Sequence, residues 1–186
     1  MQVISLEESL KKGSAGERVF ITDFLEFLNV KYENVTGQQA FQIMGTDFIF
    51  PLGKVDIKNS YKSYEHTIIL EEYTNHSIKK PGWFDTSQAH LFVFVDVSTR
   101  HMVFVPNSFE LHNWYGGHKD QFKLCMNKIS YSKNGSWQSS FRVVDLNYIP
   151  HSFYYKGYIK ADAPGINHNT PIQLILEDCF KRRKCP

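Results

Sequence analysis

The sequence predicts an α/β or α+β fold, in which one helix precedes a sheet of short strands. Apolar residues recur at helical spacing near the start of the chain, and segments rich in Val, Ile, Phe and Tyr, separated by turn residues, follow Val30. One of these segments, residues 90–96, is apolar at nearly every position, as expected of a strand covered on both faces. With 186 residues, 42% of them hydrophobic, the chain can bury a sizeable core, so we expect a single domain over residues 1–186.

The first predicted element is a helix from about Ser14 to Leu28. Glu17 lies three and four residues before Phe20 and Ile21, so its side chain projects from the face that the helix buries. A carboxylate on such a face is unusual and makes Glu17 a candidate functional residue. The apolar positions that define this face are Phe20, Ile21, Phe24, Phe27 and Leu28.

Five predicted strands follow the helix, with turns at residues 51–53 and 98–100. Their order predicts a largely antiparallel meander around a buried central strand. The strands are Phe41 to Phe50, Lys54 to Lys58, Thr67 to Tyr73, His90 to Asp96 and His101 to Val105.

The second half of the chain has weaker patterns. It contains no internal repeat, and its best loop candidate is Ala161 to Thr170. The predicted elements are a short helix from Ser108 to Tyr115, strands from Lys128 to Tyr131 and from Ser140 to Val144 about a turn at Asn134-Gly135, and a helix from Pro171 to Arg182.

Charge and cysteine content exclude several classes of protein. The chain has 21 Lys and Arg against 19 Asp and Glu, a net charge of +2, so any affinity for nucleic acid must come from the placement of its charges. Cys125, Cys179 and Cys185 form no CxxC pair, which argues against a disulfide framework and a thiolate zinc site. Because the sequence also lacks a signal-peptide pattern and a long apolar run, we expect a soluble, cytoplasmic protein without a membrane partner.

The residues that carry chemistry lie in two adjacent predicted strands joined by a tight turn. Asp47 stands on the first strand, and Asp56 and Lys58 on the second. Since side chains alternate along a strand, Asp56 and Lys58 point to the same side of the sheet while Ile57 points to the other. Pairing of the strands brings Asp47 beside them, so two carboxylates and an ammonium converge at one place.

This set of groups suits hydrolysis of a phosphodiester. Carboxylate oxygens bind Mg²⁺ or Mn²⁺, and the bound cation activates water and neutralises charge on the phosphoryl oxygens. The ammonium of Lys58 can orient the attacking water or stabilise the pentacovalent phosphorus. Glu17, on the helix packed against the sheet, is placed to act as a third ligand or as a base.

Glu17, Asp47 and Asp56-Ile57-Lys58 stand in the order found in the PD-(D/E)XK nuclease superfamily, and the chain resembles that superfamily. The stretches 69–75 and 80–85 resemble a pattern in some of its phage-type members. The resemblance covers residues 14–105 and leaves residues 106–186 as an unassigned extension. It departs from the family pattern at Thr46, where a proline is often found.

The resemblance implies a restriction-endonuclease-like fold, a mixed central sheet flanked by helices. It implies that Asp47, Asp56 and the backbone carbonyl of Ile57 bind Mg²⁺ or Mn²⁺, that Lys58 is the catalytic lysine and that Glu17 assists it. The implied activity is metal-dependent cleavage of nucleic acid, DNA before RNA, by a protein that often works as a homodimer.

The segment that follows supplies candidate substrate-binding residues. Trp83, beside Lys79 and Lys80, is placed to touch a base and a phosphate, because aromatic rings and ammonium groups bind these parts of a nucleotide. Gln88 is expected at the start of a short helix near the site. Further candidate metal ligands are Glu71 and Glu72.

Other interpretations compete with the nuclease. A D-x-K triplet also arises by chance as an exposed ion pair, and the spacing of His112, His118 and Cys125 fits no standard zinc site. One alternative is a catalytically weak or inactive module of the same fold that binds nucleic acid or a protein. Another is a hydrolase of a small signalling nucleotide, with a closed pocket lined by Trp114, Trp137 and Tyr154.

Overall fold

The computed structural model describes residues 14–26, 31–60, 66–132 and 135–158, together with Glu177. Its helices are α1 (residues 14–26, with π-helical hydrogen bonding over Ile21–Leu25), α2 (Gln39–Ile43), α3 (Trp83–Thr86) and α4 (Phe109–His118), with 3₁₀ turns at Lys119–Gln121 and His151–Phe153. Its strands are β1 (Glu33–Asn34), β2 (Phe48–Phe50), β3 (Gly53–Ser60), β4 (Thr67–Asn75), β5 (Lys80–Pro81), β6 (Leu91–Asp96), β7 (His101–Pro106), β8 (Leu124–Met126), β9 (Ser130–Ser132), β10 (Gly135–Trp137), β11 (Ser140–Asp145) and β12 (Tyr155–Tyr158).

The strands form a six-stranded central sheet in the order β1-β2-β3-β6-β7-β12. Strands β3 and β6 are parallel, with Val55 opposite Leu91, whereas the other neighbours in this sheet are antiparallel. The sheet is therefore mixed, and the protein belongs to the α+β class. The predicted antiparallel meander is wrong at this point, because the chain between β3 and β6 leaves the central sheet to form β4 and β5.

A second, four-stranded antiparallel sheet has the order β5-β4-β11-β8. Its strands contribute Ile68, Leu70 and Val144 to a hydrophobic cluster that also contains Phe92 and Val103 of the central sheet. The second sheet thus covers one face of the central sheet. A separate hairpin pairs β9 with β10.

Helix α1 covers the opposite face. Phe20 and Phe24 stack with their ring centroids 5.0 Å apart, and Phe24 lies 5.1 Å from Phe104 of β7. Both rings belong to a cluster with Val55 and Ile57 of β3. The predicted first helix is confirmed over residues 14–26, and residues 27–28 of that prediction lie outside the described residues. The two-sided burial predicted for residues 90–96 is also confirmed in β6.

The predicted strand from Phe41 to Phe50 is wrong in its first half. Residues Gln39–Ile43 form α2, and only Phe48–Phe50 form a strand. Neither large apolar residue of α2 is fully buried, as Phe41 is half-buried and Ile43 is 77% exposed, and the left-handed backbone of Gly45 (φ +60°) interrupts an extended chain. The apolar residues of this segment therefore resemble a strand in sequence, although they are not packed as one.

Elsewhere the predicted elements match more closely. Strands β3, β4, β6 and β7 and helix α4 lie within three residues of their predicted limits. Ser140–Asp145 is a strand as predicted, but it pairs with β4 and β8, and the partner of β9 is the short strand Gly135–Trp137 that the sequence did not predict. Residues 161–170 lie outside the described part of the chain, as does all of the predicted helix from Pro171 to Arg182 except Glu177.

None of the helices in the described ranges combines the length and hydrophobicity needed to cross a membrane.

Close contact at Gly16 fixes how α1 sits on β3. A Cβ atom added to Gly16 would lie 2.4 Å from the Cβ of Asn59. This distance is far below normal contact, so the helix and the strand approach each other only because residue 16 is glycine. Glu17 is the next residue, and its position relative to the sheet depends on the same contact.

We predict that Gly16→Ala destabilises the protein by about 1–3 kcal/mol, because forcing extra atoms into a packed contact displaces α1. Chemical denaturation measures the free energy of unfolding. Gly116→Ala is the matched control, since a Cβ on this helical glycine of α4 meets nothing within 4 Å and alanine favours a helix by roughly 1 kcal/mol. Destabilisation of both variants to the same extent would contradict the close contact.

Candidate active site

The site lies where β2 and β3 part. Their ladder pairs Phe48 with Val55, and the backbone N–H of Asp47 donates to the carbonyl of Val55 at 2.9 Å. Further along β3, the N–H of Ile57 donates to Oδ2 of Asp47 at 2.7 Å, so a side chain accepts a hydrogen bond that a backbone carbonyl of β2 would otherwise accept. Asp47 thereby caps the free edge of β3, and its carboxyl group is held beside the following strand residues.

Asp56 is buried at the centre of the site, with only 2% of its surface exposed. Its Oδ1 lies 2.7 Å from Nζ of Lys58, which confirms that the two side chains share one side of β3. Its Oδ2 lies 3.5 Å from Oγ of Ser87. Asp56 also shares a side-chain hydrogen bond with Asp47, so this buried carboxyl group contacts an ammonium, a hydroxyl and a second carboxyl group.

The two aspartates perturb each other. Burial raises the pKa of Asp56 from 3.8 to about 7, the charge of Lys58 opposes this rise, and Asp47 adds to it. Burial likewise raises the pKa of Asp47, whereas the Ile57 N–H and Lys58 act to lower it. Lys58 contacts Asp56 and acts on Asp47 through its charge. When both carboxyl groups are ionised they outnumber this one ammonium, so the site attracts a proton or a further cation.

Glu17 faces the same pair from α1. Burial raises the pKa of Glu17, and the negative charge of Asp47 raises it further. The helix residue, the edge carboxylate and the buried carboxylate thus interact electrostatically, as the sequence pattern predicts for one site. Within the described ranges, however, no three Asp, Glu, His or Cys side chains are close enough to form a ready-made metal cluster.

Lys58 has a second partner in Trp83. Its Nζ lies 4.4 Å from the centroid of the indole ring, which packs edge-on against Phe92 at 5.1 Å. The ammonium is held between the ring and Asp56, which restricts its position. Trp83 therefore contacts the catalytic candidate Lys58 directly, a contact that its position beside Lys79 and Lys80 in the sequence does not predict.

The two glutamates of β4 have other partners. Glu71 accepts the N–H of Trp83 at 3.1 Å and so fixes the start of α3. Glu72 is buried and lies within 3.4 Å of Lys119 and 3.3 Å of Arg142. Both carboxylates take part in structural interactions of the second sheet rather than joining Asp47 and Asp56.

The other candidate substrate-binding residues lie around the second sheet and α3. Lys79 is exposed, with Nζ 4.8 Å from the ring centroid of Tyr73, and Lys80 is exposed on β5. Gln88 does not begin a helix, because α3 ends at Thr86 and Gln88 lies in the connection to β6. Its backbone N–H donates to the carbonyl of Met44 at 2.8 Å, which ties this connection to the segment before Asp47.

Three residues that the sequence did not single out hold this connection in place. Ser87 donates to the carbonyl of Gly45 at 3.1 Å and lies beside Asp56. Asn107 is buried and donates from Nδ2 to the carbonyl of Ala89 at 2.8 Å. A Cβ on Gly45 would lie 2.7 Å from Oγ of Ser87, so the approach depends on glycine. Only the glycine could have been suspected from sequence, because the other contacts join residues far apart in the chain.

The three residues considered as zinc ligands each have a different contact. His112 contacts Oδ1 of Asn107 at 2.7 Å, and His118 contacts the carbonyl of Trp114 at 2.7 Å. Cys125 points to the carbonyl of Lys123. Of the aromatic residues considered for a closed pocket, Trp114 and Tyr154 pack in or against the core on the second-sheet side, while Trp137 lies on the β9–β10 hairpin.

A cavity of about 180 Å³ opens beside Lys58 on the side of the central sheet that faces β4. Lys58 and Trp83 form part of its lining, as do Ile68 of β4 and Phe94 and Val103 of the central sheet. Asn59, Thr67, Asp96 and His101 line it as well, so the cavity has mixed apolar and polar walls and adjoins the aspartates through Lys58.

The fold and this geometry define an α+β protein with a mixed central sheet and a carboxylate–lysine site at the point where two of its strands diverge. No protein-family model, curated protein or solved structure matches the chain.

We predict that the stability of the metal-free protein falls as the pH rises from about 4 to about 7, and then levels off. The pKa of Asp56 is about 7 in the folded protein against 3.8 ordinarily, so in this range the folded state binds more protons than the unfolded state. Thermal denaturation at several pH values measures this dependence. Asp56→Asn, which stays neutral at every pH, should flatten the curve, and an unchanged slope in this variant would contradict the assignment.

Proposed function

We propose that the protein is a metal-dependent nuclease with the restriction-endonuclease-like arrangement of the PD-(D/E)XK superfamily. The observation that carries the proposal is the pairing of the buried carboxyl group of Asp56 with the half-buried carboxyl group of Asp47, beside the ammonium of Lys58. An ordinary surface ion pair is exposed and charge-balanced. This group is buried and has an excess of negative charge, which is a common property of catalytic sites.

The donor set fits Mg²⁺ or Mn²⁺. Both cations prefer oxygen ligands, and Mg²⁺ is usually held by one or two carboxylates while it retains several waters, so a third side chain is not required. Asp47, Asp56 and the carbonyl of Ile57 would hold the cation. When bound, it would lower the pKa of water and neutralise charge on the phosphoryl oxygens.

The residues around the proposed cation site have different roles. Lys58 presents an ammonium, already restrained by Asp56 and Trp83, to the phosphoryl oxygens and stabilises the negative charge that develops on them. Glu17, whose pKa is raised by burial and by Asp47, orients water or accepts a proton. Ser87 and Asn107 keep Asp56 in position through the connection to β6.

We take nucleic acid as the substrate, DNA before RNA, and a homodimer in the cytoplasm as the working form, since nucleases of this superfamily often use two centres. Lys79 and Lys80, exposed near β5, are available to bind backbone phosphates.

A catalytically inactive binding module of the same fold is the second candidate. The ion pair between Lys58 and Asp56 and the absence of a three-residue metal cluster among the described residues favour it. The two candidates differ in whether metal and Lys58 are needed for turnover. A hydrolase that encloses a whole signalling nucleotide is less consistent with the site, because the cavity of about 180 Å³ is smaller than the roughly 300–1,000 Å³ typical of such pockets.

We predict metal-dependent cleavage that Lys58→Ala abolishes while substrate binding stays within about threefold, because this change removes a group that acts in the transition state. Labelled single-stranded, double-stranded and branched DNA, and RNA, are incubated with Mg²⁺, Mn²⁺ or EDTA. Lys156→Ala is the matched control, since Lys156 also lies on the central sheet with its ammonium above an aromatic ring. Retention of full activity by Lys58→Ala would exclude this lysine from the reaction.

We also predict that Mg²⁺ or Mn²⁺ raises the melting temperature, and raises it more at pH 8 than at pH 5, because protons compete with the cation for Asp56. At a concentration of 100 times Kd, the stabilisation should be about 2.7 kcal/mol. Asp56→Asn should remove the effect, whereas Asp145→Asn, on β11 of the second sheet, should retain it. Equal stabilisation of both variants would place the cation elsewhere.

A further inference from the structure

The cavity beside Lys58 has features that the cleavage of a phosphodiester does not require. Its walls include the side chains of Ile68, Phe94 and Val103, which belong to the core between the two sheets, and the ring of Trp83. Thr67 also lines it. Oγ1 of Thr67 is buried and has no hydrogen-bond partner among the described residues, an arrangement that is costly unless a ligand or water supplies the partner.

The size of the cavity limits what it can hold. About 10–15 Å³ of such space is enough for one water molecule, and pockets for drug-sized ligands start at about 300 Å³. A cavity of about 180 Å³ lies between these two sizes and has room for one planar heterocycle. The rings of Trp83 and Phe94 suit a nucleobase, whose flat faces stack on aromatic rings regardless of sequence. The lining also contains polar side chains, those of Asn59, Thr67, Asp96 and His101, beside which the polar edge of a base would lie.

The position of the cavity relates it to the candidate active site. Lys58 lines the cavity, and its ammonium lies 2.7 Å from Asp56. A phosphate at the aspartate pair and a ring in the cavity would therefore lie on two sides of one lysine side chain. Within a nucleic acid, a phosphate and the base of an adjoining nucleotide are close enough to lie on two sides of one side chain.

We propose that the cavity receives the base of a nucleotide next to the scissile phosphate. A base inside an intact duplex is stacked and paired, and reaches a pocket only if it is flipped out or already unpaired. The substrate class that follows is nucleic acid that is single-stranded, or locally unpaired, at the cleavage position. This inference rests on the proposed nuclease activity.

The first test uses the wild-type protein, so that no variant has to fold. Single-stranded oligonucleotides carry one abasic position, moved step by step past the cleaved bond, and their cleavage rates in Mg²⁺ are compared with those of the intact strand. Because base stacking on an aromatic site contributes about 1–3 kcal/mol, one abasic position should slow cleavage by about 5- to 150-fold. The fully paired duplex should be slower than the single strand.

The second test fills the cavity. Val103→Phe should slow cleavage of the intact strand but leave the rate on the strand that is abasic at the sensitive position unchanged. The same substitution at Val143, a half-buried residue of β11 outside the cavity lining, is the matched control. Should Val103→Phe fail to fold, Thr67→Val removes only the hydroxyl and should change the preference among the four bases at that position.

The outcomes test the base-binding cavity and the nuclease activity separately. Metal-dependent cleavage with equal rates on duplex, intact and abasic strands would overturn the base cavity and leave the proposed function standing. If no substrate is cleaved, the proposed function fails, and the affinities of intact and abasic strands, measured by fluorescence anisotropy, decide about the cavity. Weaker binding of one abasic strand supports a base-binding cavity, and equal affinities overturn it.

Discussion

The site depends on two neighbouring carboxyl groups at the edge of a β-strand, the buried Asp56 and the half-buried Asp47. The carboxylate of Asp47, instead of a backbone carbonyl, accepts the N–H of Ile57 on β3. The residue before Ile57 on the same strand is the buried Asp56. Burial opposes ionisation of both groups, and among the residues that the structure describes Lys58 is the cation whose charge favours it in both. Such an arrangement lowers stability, and carboxyl groups perturbed in this way cluster at functional sites.

The surrounding helices and strands hold these charged side chains in position. Helix α1 approaches β3 closely through Gly16 and brings Glu17 to one side of the pair. On the other side, the connection after α3 places Ser87 against Asp56 and is anchored by Asn107. Trp83, packed on Phe92, limits the movement of Lys58. Secondary structure thus fixes the backbone of the site, while packing from both faces fixes its side chains.

Local patterns in the sequence predicted the parts of the site that depend on local geometry. Alternation along a strand placed Asp56 and Lys58 on one side, and helical spacing placed Glu17 on the buried face of α1. Asp47 was correctly placed beside Asp56 although its predicted strand was too long, because the pairing of Phe48 with Val55 is sufficient to bring it there.

Long-range contacts could not be predicted from such patterns. The parallel pairing of β3 with β6 depends on the excursion of the intervening chain into a second sheet, and no spacing in the sequence encodes it. The same holds for Ser87, whose contact with Asp56 joins residues 31 positions apart, and for the cavity between the sheets. The sequence indicates Trp83 as a candidate substrate-binding residue, but its contact with Lys58 is evident only from the packing of the fold.

The most direct test of the central claim is to measure the titration of the carboxyl groups themselves. Carbon-13 NMR of the aspartate carboxyls follows Asp56 over a range of pH, with and without Mg²⁺, and Asp56→Asn assigns its signal. We expect Asp56 to titrate near pH 7 without metal, in accord with its raised pKa, and at clearly lower pH when Mg²⁺ is present. Titration near the ordinary value of 3.8, unchanged by Mg²⁺, would contradict a buried carboxylate pair that binds a cation.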